Sequence, residues 1–236
     1  MLADNNLICS YSRRQMDNMS LSYGDTQNSL DNRKRFLSGL GIDYRDLVCA
    51  KQVHASYVSY ATEAHKGSGA LTYDNAIENT DAFITDKPGV PLAIFTADCL
   101  SVFLYDPNTR SIGLAHAGWR STRENIIGKT VNLMQKEFGL QPLDLQVSFG
   151  PGIRGCCYEV DDDFSGYFPS TVIRKDGRLY LDLAATNKKQ AVACGVKAEN
   201  IFDPTLCTFC KADDFFSFRK EGQACGRMMS VIMLKN

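Results

Sequence analysis

Cys99-Leu100-Ser101-Val102-Phe103-Leu104-Tyr105, then Asp106-Pro107-Asn108-Thr109, then Arg110-Ser111-Ile112-Gly113-Leu114-Ala115-His116 read as two strands joined by a turn. Val102–Tyr105 and Ser111–Ala115 are strand patterns, and the Asp-Pro-Asn-Thr between them closes a tight β-hairpin. With the turn centred near Asn108, residue i on one strand faces roughly residue 216 − i on the other. That register sets Cys99 opposite the Ala115–Ala117 stretch, so Cys99 and His116 share the open end of one hairpin. A thiolate and an imidazole held together on a rigid sheet suit metal coordination or nucleophile–base pairing.

The residues that follow extend the pattern. Ala117-Gly118-Trp119-Arg120 leads into Ser121 and Glu124, which form a capping box. Ile127, Val131, Met134 and Phe138 then recur at helical spacing until Gly139 stops the helix. A helix start presents unpaired N–H groups and partial positive charge, and Arg120 and Arg123 reinforce it as an anion site. Two further helices are expected: Asn28 to Leu40, with Leu30, Leu37 and Leu40 on one face before Gly41, and Leu183 to Cys194, closed by Gly195. Other strand patterns lie at Leu47–Val53, Ala82–Thr85, Leu92–Ala97, Leu145–Phe149, Phe215–Phe218 and Met228–Leu234. Strands in hairpins mixed with few helices argue for an α+β fold over a repeating βαβ one. No internal period, low-complexity tract or linker breaks the chain, so residues 1–236 are expected to form a single domain.

Composition narrows the function classes. The chain has 236 residues, 44% of them hydrophobic and 22% charged, which excludes disorder as its main state. With 26 Lys and Arg against 27 Asp and Glu, the net charge of −1 removes the basic field on which a dedicated nucleic-acid binder relies. Pro91–Ala97 and Val231–Leu234 are far shorter than the roughly 20 apolar residues that cross a bilayer. The opening MLADNNLICSYSRR lacks the basic patch and apolar run of a signal peptide, so a cytoplasmic location is expected. The nine cysteines are then thiols, metal ligands or small core residues, not a disulfide framework.

Each candidate has a plainer reading. Trp119 suits a core anchor, and Arg120 suits a surface ion pair. Asp98, beside Cys99, either orients a ligand and protonates a leaving group or caps a turn. His54, ending Lys51-Gln52-Val53-His54, is either a hydrogen-bonded core residue or a ligand, and His65 has the surroundings of a solvated loop. Cys207-Thr208-Phe209-Cys210 is a CxxC, the spacing of a redox or metal pair, but without a second half-site it reads as plain thiols.

Thr96-Ala97-Asp98-Cys99-Leu100, Ala115-His116-Ala117-Gly118-Trp119-Arg120 and Gly150-Pro151-Gly152-Ile153 resemble the YfiH family. That family is also labelled polyphenol oxidase or laccase-domain, and purine nucleoside phosphorylase. The similarity continues through Lys51–His54, Asp81–Thr85, Tyr158-Glu159-Val160, Cys207-Thr208, Phe215–Arg219 and Gly226-Arg227-Met228, and so covers nearly the whole chain. The resemblance implies an α/β/β/α sandwich of two mixed β-sheets with flanking helices, shared with bacterial toxins of Cys-His type. It implies zinc on His54, Cys99 and His116, with the fourth position open as in a catalytic site. It also implies phosphorolysis of adenosine, inosine and methylthioadenosine to a base and a pentose 1-phosphate, with some adenosine deamination. The expected partners are thus a small nucleoside and phosphate, with no nucleic-acid polymer and no membrane. Where the family carries Thr-Arg-x-Gly-Gly-Val-Ser, this chain has Tyr11-Ser12-Arg13-Arg14-Gln15-Met16, and Arg13 matches the family's arginine. The family's Gly after the His-Ala-Gly-Trp-Arg motif is Ser121 here.

These expectations give a division of roles. Cys99, His116, Asp98 and Arg13 are the catalytic candidates, and Arg120, Trp119, Ser121 and Arg219 the phosphate and substrate candidates. A multicopper oxidase needs on the order of ten histidines; this chain has three. Zinc polarising the purine or a bound water fits both phosphorolysis and deamination. The alternative is a metal-free Cys99 nucleophile activated by His116, an amide hydrolase; the family resemblance implies editing of peptidoglycan precursors for such an enzyme. In a third reading the zinc is structural, completed by Cys207 or Cys225, in a partner-binding module.

Overall fold

The computed structural model describes residue 2 and residues 4–235. In chain order the strands are β1 (Leu7–Tyr11), β2 (Val48–Cys49), β3 (Val58–Tyr60), β4 (Ala82–Thr85), β5 (Leu92–Thr96), β6 (Leu100–Asp106), β7 (Ser111–Ala117), β8 (Gln146–Phe149), β9 (Glu159–Val160), β10 (Val172–Lys175), β11 (Arg178–Leu181), β12 (Ile201–Phe202) and β13 (Met228–Leu234). The helices are α1 (Thr26–Ser38), α2 (Trp119–Arg123), α3 (Ile126–Phe138), α4 (Asp163–Tyr167), α5 (Leu183–Ala193) and α6 (Phe218–Glu221).

Alternation along the strands builds the layers. On β6, Val102 and Leu104 face α3 and α5, where they meet Ile127, Val131, Met134 and Ala191. Phe103 and Tyr105 face the other way, onto Leu92 and Ile94 of β5 and Ile232 and Leu234 of β13. The period-2 geometry of a strand thus gives β6 two buried faces, and every residue of β6 and β7 is buried. Each fully buried Phe or Leu in such a layer contributes roughly 1.5–3 kcal/mol relative to exposure. Helix α1 covers the far side of the second sheet through Phe36 and Leu37, against Ala93, Met229 and Val231.

Both sheets are mixed. One runs β1-β13-β5-β2 and the other β12-β8-β6-β7-β4-β3. Each carries parallel pairing at its margin: β2 with β5, β3 with β4, and β12 with β8. The order helix, sheet, sheet, helix is the expected α+β sandwich. A smaller sheet, β10-β11-β9, was not anticipated from sequence.

Four local readings need correction. The hairpin pairs Ser101 with His116 and Leu100 with Ala117, one residue beyond the expected register. The cause is an extra loop residue, Arg110, in the left-handed region at φ 50°. The expected helix after Ser121 is two helices, because Asn125 takes a left-handed conformation at φ 61° and caps α3 through its side chain to Gly128 N. Ser121 is therefore the third residue of α2, whose N-cap is Gly118. Phe215–Phe218 is no strand: Phe215 and Phe216 pack with Ala97 and Met228, and Phe218 opens α6. Of Leu47–Val53, only Val48–Cys49 is strand; the backbone then pairs with Ile77 at Ala50 and Lys51, and the Gln52 side chain takes over the bonds to Phe95. Among the described residues, no helix is long and apolar enough to cross a membrane.

Candidate metal and active site

The site forms where one sheet hands the chain to the other. Strand β5 ends at Thr96 and β6 begins at Leu100, so the intervening turn crosses between sheets with Cys99 at its end. Asp98 holds that turn at φ 79°. His116 lies on β7 at the same sheet edge, and its N–H donates to Asp81 O at 2.7 Å, just before β4. His54 arrives on the loop after β2 at φ 59°. The Cys99 Sγ and one nitrogen of each of His54 and His116 lie within 4.8 Å of one another. The two imidazoles meet edge to face, with ring centroids 4.7 Å apart.

Asp81 organises this cluster, and the sequence reading assigned it no role. Its carboxylate is fully buried. Oδ1 accepts from His116 Nδ1 at 2.8 Å and from His54 N at 3.0 Å. Oδ2 accepts from the N–H groups of Val53 at 3.2 Å and Ala55 at 2.9 Å. One carboxylate therefore shapes the His54 loop and fixes the His116 tautomer, leaving Nε2 free to face Cys99. Burial raises the Asp81 pKa, but the His116 hydrogen bond and charge, with the N–H groups of Ala55 and His54, outweigh it and hold the acid below its ordinary value. Burial also pushes the Cys99 thiol up, yet the neighbouring His116 and His54 bring it down to about 6. Burial lowers His116, and Cys99 and Asp81 more than reverse that, raising it to about 9. Between those values the metal-free site holds a thiolate against an imidazolium. A thiolate with two imidazoles, one oriented by a carboxylate, is a donor set that fits zinc.

Gly118 shows how tightly the cluster is packed. A Cβ added there would lie 3.0 Å from Cys99 Sγ and 3.2 Å from His54 Cδ2. Its φ of −81° suits any residue, so only space demands glycine. Gly118→Ala should weaken metal binding by at least about tenfold, with an overpacking cost of roughly 1–3 kcal/mol. Isothermal titration with Zn²⁺ measures this, and wild-type affinity would show that the cluster tolerates the methyl.

The cluster opens onto a cavity of about 570 Å³, within the usual range for a small-molecule site. Arg33, Arg120, Arg219 and Arg227 line it against a single carboxylate, Asp98. Trp119 lines it too, and its ring carries the Arg120 guanidinium 4.3 Å from its centroid. Arg219 is held on the wall, with Nη1 donating to Glu159 O at 2.8 Å and the guanidinium 5.2 Å from the Tyr158 ring centre.

Three expected site residues sit differently. Arg13 is not on the cavity wall; its half-exposed guanidinium lies 3.6 Å from Asp214. Ser121 is fully buried, accepting from Gly118 N at 2.9 Å and donating to His116 O at 3.0 Å. It thus braces the turn after His116 and does not line the cavity. The short α2 also offers little of the dipole expected at that point, since only a long helix sums its peptide dipoles effectively. Asp98 lines the cavity, but its oxygens accept from the Thr208 hydroxyl and from Arg219 N, each at 2.6 Å. Its carboxylate clamps α6 to the Cys99 turn. His65 bonds locally to Thr62.

Arg33 and Arg227 went unassigned in the sequence reading. Arg33 had a signal: it falls between Leu30 and Leu37 at helical spacing, on the buried face of α1. It donates to the carbonyls of Met19, Gly69 and Ala70. Cys207 and Cys225 do not join the His54 cluster, which leaves the structural-zinc reading without its fourth ligand.

Comparison with known proteins agrees with the fold and the motifs. The family profile described as multi-copper polyphenol oxidoreductase laccase matches residues 9–235. The chain is 35% identical over 225 residues to the purine nucleoside phosphorylase YlmD of Geobacillus stearothermophilus, covering 91% of this chain and 82% of that one. It is 32% identical over 220 residues to the adenosine deaminase RL5 of an unknown prokaryotic organism, covering 89% and 84%. The solved structure of the Bacillus licheniformis hypothetical protein YfiH superposes with a TM-score of 0.94 at 32% identity, covering 98% of this chain and 94% of that one. With a profile match over nearly its whole length and relatives above 30% identity, this chain belongs to the multi-copper polyphenol oxidoreductase laccase, or YfiH, family.

Proposed function

We propose that this protein is a zinc-dependent purine nucleoside phosphorylase, acting on adenosine, inosine and methylthioadenosine, with adenosine deamination as a side activity. The observation that carries the reading is a three-donor cluster on the wall of a cavity where arginines outnumber carboxylates four to one. Such a wall suits a phosphate dianion, which arginine binds through charge-assisted hydrogen bonds. The relatives named purine nucleoside phosphorylase and adenosine deaminase support the same chemistry.

In phosphorolysis a phosphate oxygen bonds to the anomeric carbon, and the C–N bond breaks with its electron pair leaving on the purine. Arg120, Arg219 and Arg227 hold the phosphate. The aromatic surfaces of Phe95, Tyr158 and Phe218 along the cavity flank the flat base. His54, Cys99 and His116 would hold zinc, which would supply Lewis-acid polarisation of the purine or a water. Asp81 keeps His116 in its ligating tautomer, and Asp98 positions the Cys99 turn and Arg219. The protein works as a soluble cytoplasmic enzyme on small molecules in this reading.

The test is product analysis. Incubation with adenosine and phosphate should yield adenine and a pentose 1-phosphate, and omitting phosphate should stop adenine release. Adenosine left intact under both conditions would refute the proposal. Arg120→Ala should raise the KM for phosphate about tenfold, the weight of one charge-assisted contact near solvent, with zinc content unchanged. An unaltered phosphate KM would remove Arg120 from the site.

One observation favours a second reading. Cys99, His116 and Asp81 stand in the order nucleophile, base and orienting acid, with a depressed thiol. A Cys-His amidohydrolase would keep its amide-cleaving activity after chelation and lose it to iodoacetamide. The phosphorylase should lose adenosine turnover on chelation and regain it with Zn²⁺.

A further inference from the structure

We propose that Cys156, Cys157, Cys207 and Cys210 form a second zinc site, a closed tetrathiolate that pins two loops together beside the cavity. In the sequence the Cys207–Cys210 CxxC reads as plain thiols because it has no visible second half. The fold supplies that half: the four sulfurs all lie within 4.8 Å of one another. Cys157 Sγ is 3.3 Å and Cys156 Sγ 3.7 Å from Cys210 Sγ. A tetrahedral zinc with bonds of about 2.3 Å sets its sulfurs roughly 3.8 Å apart, within this spread. The sulfurs stand well outside disulfide bonding distance, which is about 2.05 Å.

The backbone around the sulfurs is built as a pair of tight turns. Cys157 N and Tyr158 N both donate to Arg154 O, at 2.9 and 2.8 Å, and Lys211 N donates to Cys207 O at 3.0 Å. A β-bridge joins Gly152 to Cys207 and sets the turns side by side. Cys156 and Cys210 are exposed, so an ion can enter from solvent. Four sulfurs complete the tetrahedron, which makes the site structural, and binding releases thiol protons to water.

Its position gives it a consequence. Tyr158, next to Cys157, lines the cavity, and Thr208, next to Cys207, donates its hydroxyl to Asp98. A zinc here fixes both the Tyr158 wall and the clamp on the Cys99 turn, using none of the His54 cluster's donors.

Metal analysis of protein purified without chelator tests the proposal. The double variant Cys156→Ser/Cys210→Ser should hold half the zinc of wild type, and His54→Ala should lose the other half. Should the double variant fail to fold, metal-free wild type titrated with Zn²⁺ and mapped by alkylation and mass spectrometry gives the answer. The four thiols should become protected together. A double variant with wild-type zinc content, thiols alkylated equally fast with and without Zn²⁺, or stoichiometric iron in their place would overturn it.

Discussion

Cys99→Ala should lose the metal at the His54 cluster and all measurable adenosine turnover. The loss should exceed the roughly 10–100-fold that follows removal of an outer partner, because a ligand itself is gone. Two histidines remain, but they no longer meet a charged sulfur, and His116 loses the neighbour that raises it toward about 9. The imidazole should then titrate lower, an effect visible by NMR independently of activity. Cys99 is only partly buried, so alanine there should leave the fold intact. A Cys99→Ala protein that keeps the metal and the turnover would show that the chemistry resides elsewhere.

Asp81→Asn is the second large effect, and it reaches both stability and metal binding. The carboxylate accepts four hydrogen bonds through two oxygens. An amide keeps only one acceptor oxygen, so two buried donors lose their partner and face an NH₂ group. At about 1–3 kcal/mol for each unsatisfied group, the fold should lose roughly 2–6 kcal/mol. In a chain of this size that lowers Tm by about 4–24 °C. Zinc affinity should fall about 10–100-fold as the His116 tautomer is freed. The stability loss should be largest at neutral pH. The native acid titrates below its unfolded value, so its contribution is present above the unfolded pKa and fades as pH falls through the native one. Calorimetry of the metal-free variant from pH 7 downward checks the sign, and a wild-type Tm at neutral pH would contradict it.

Local pattern made half of the site legible. Cys99 and His116 belong to one hairpin, so strand pairing alone brings them to the same end, even with the register shifted by Arg110. His54 and Asp81 arrive by a loop and a strand start whose meeting depends on the parallel β3–β4 pair. Nothing periodic marks Val58–Tyr60, a short and half-buried strand, so the link was invisible except through family motifs. Helix α3 was legible from its apolar spacing. Its start was not, because Ser121 and Glu124 copy a capping box while Asn125, itself a good cap, makes the break. Glu124 instead accepts from the Ser56 hydroxyl across to the His54 loop. The arginine-lined cavity draws on four separate stretches, α1, α2, α6 and the approach to β13, so only its Arg120 and Arg219 walls are legible in the sequence. The four clustered cysteines needed two distant turns to be laid side by side by a single bridge.

An anomalous difference map recorded at the zinc edge from crystals of the protein as purified is the most direct check. The account predicts a strong peak bounded by the side chains of His54, Cys99 and His116, with the remaining coordination position facing the cavity and taken by solvent or substrate. No peak between those side chains, or a fourth protein donor closing that position, would contradict it.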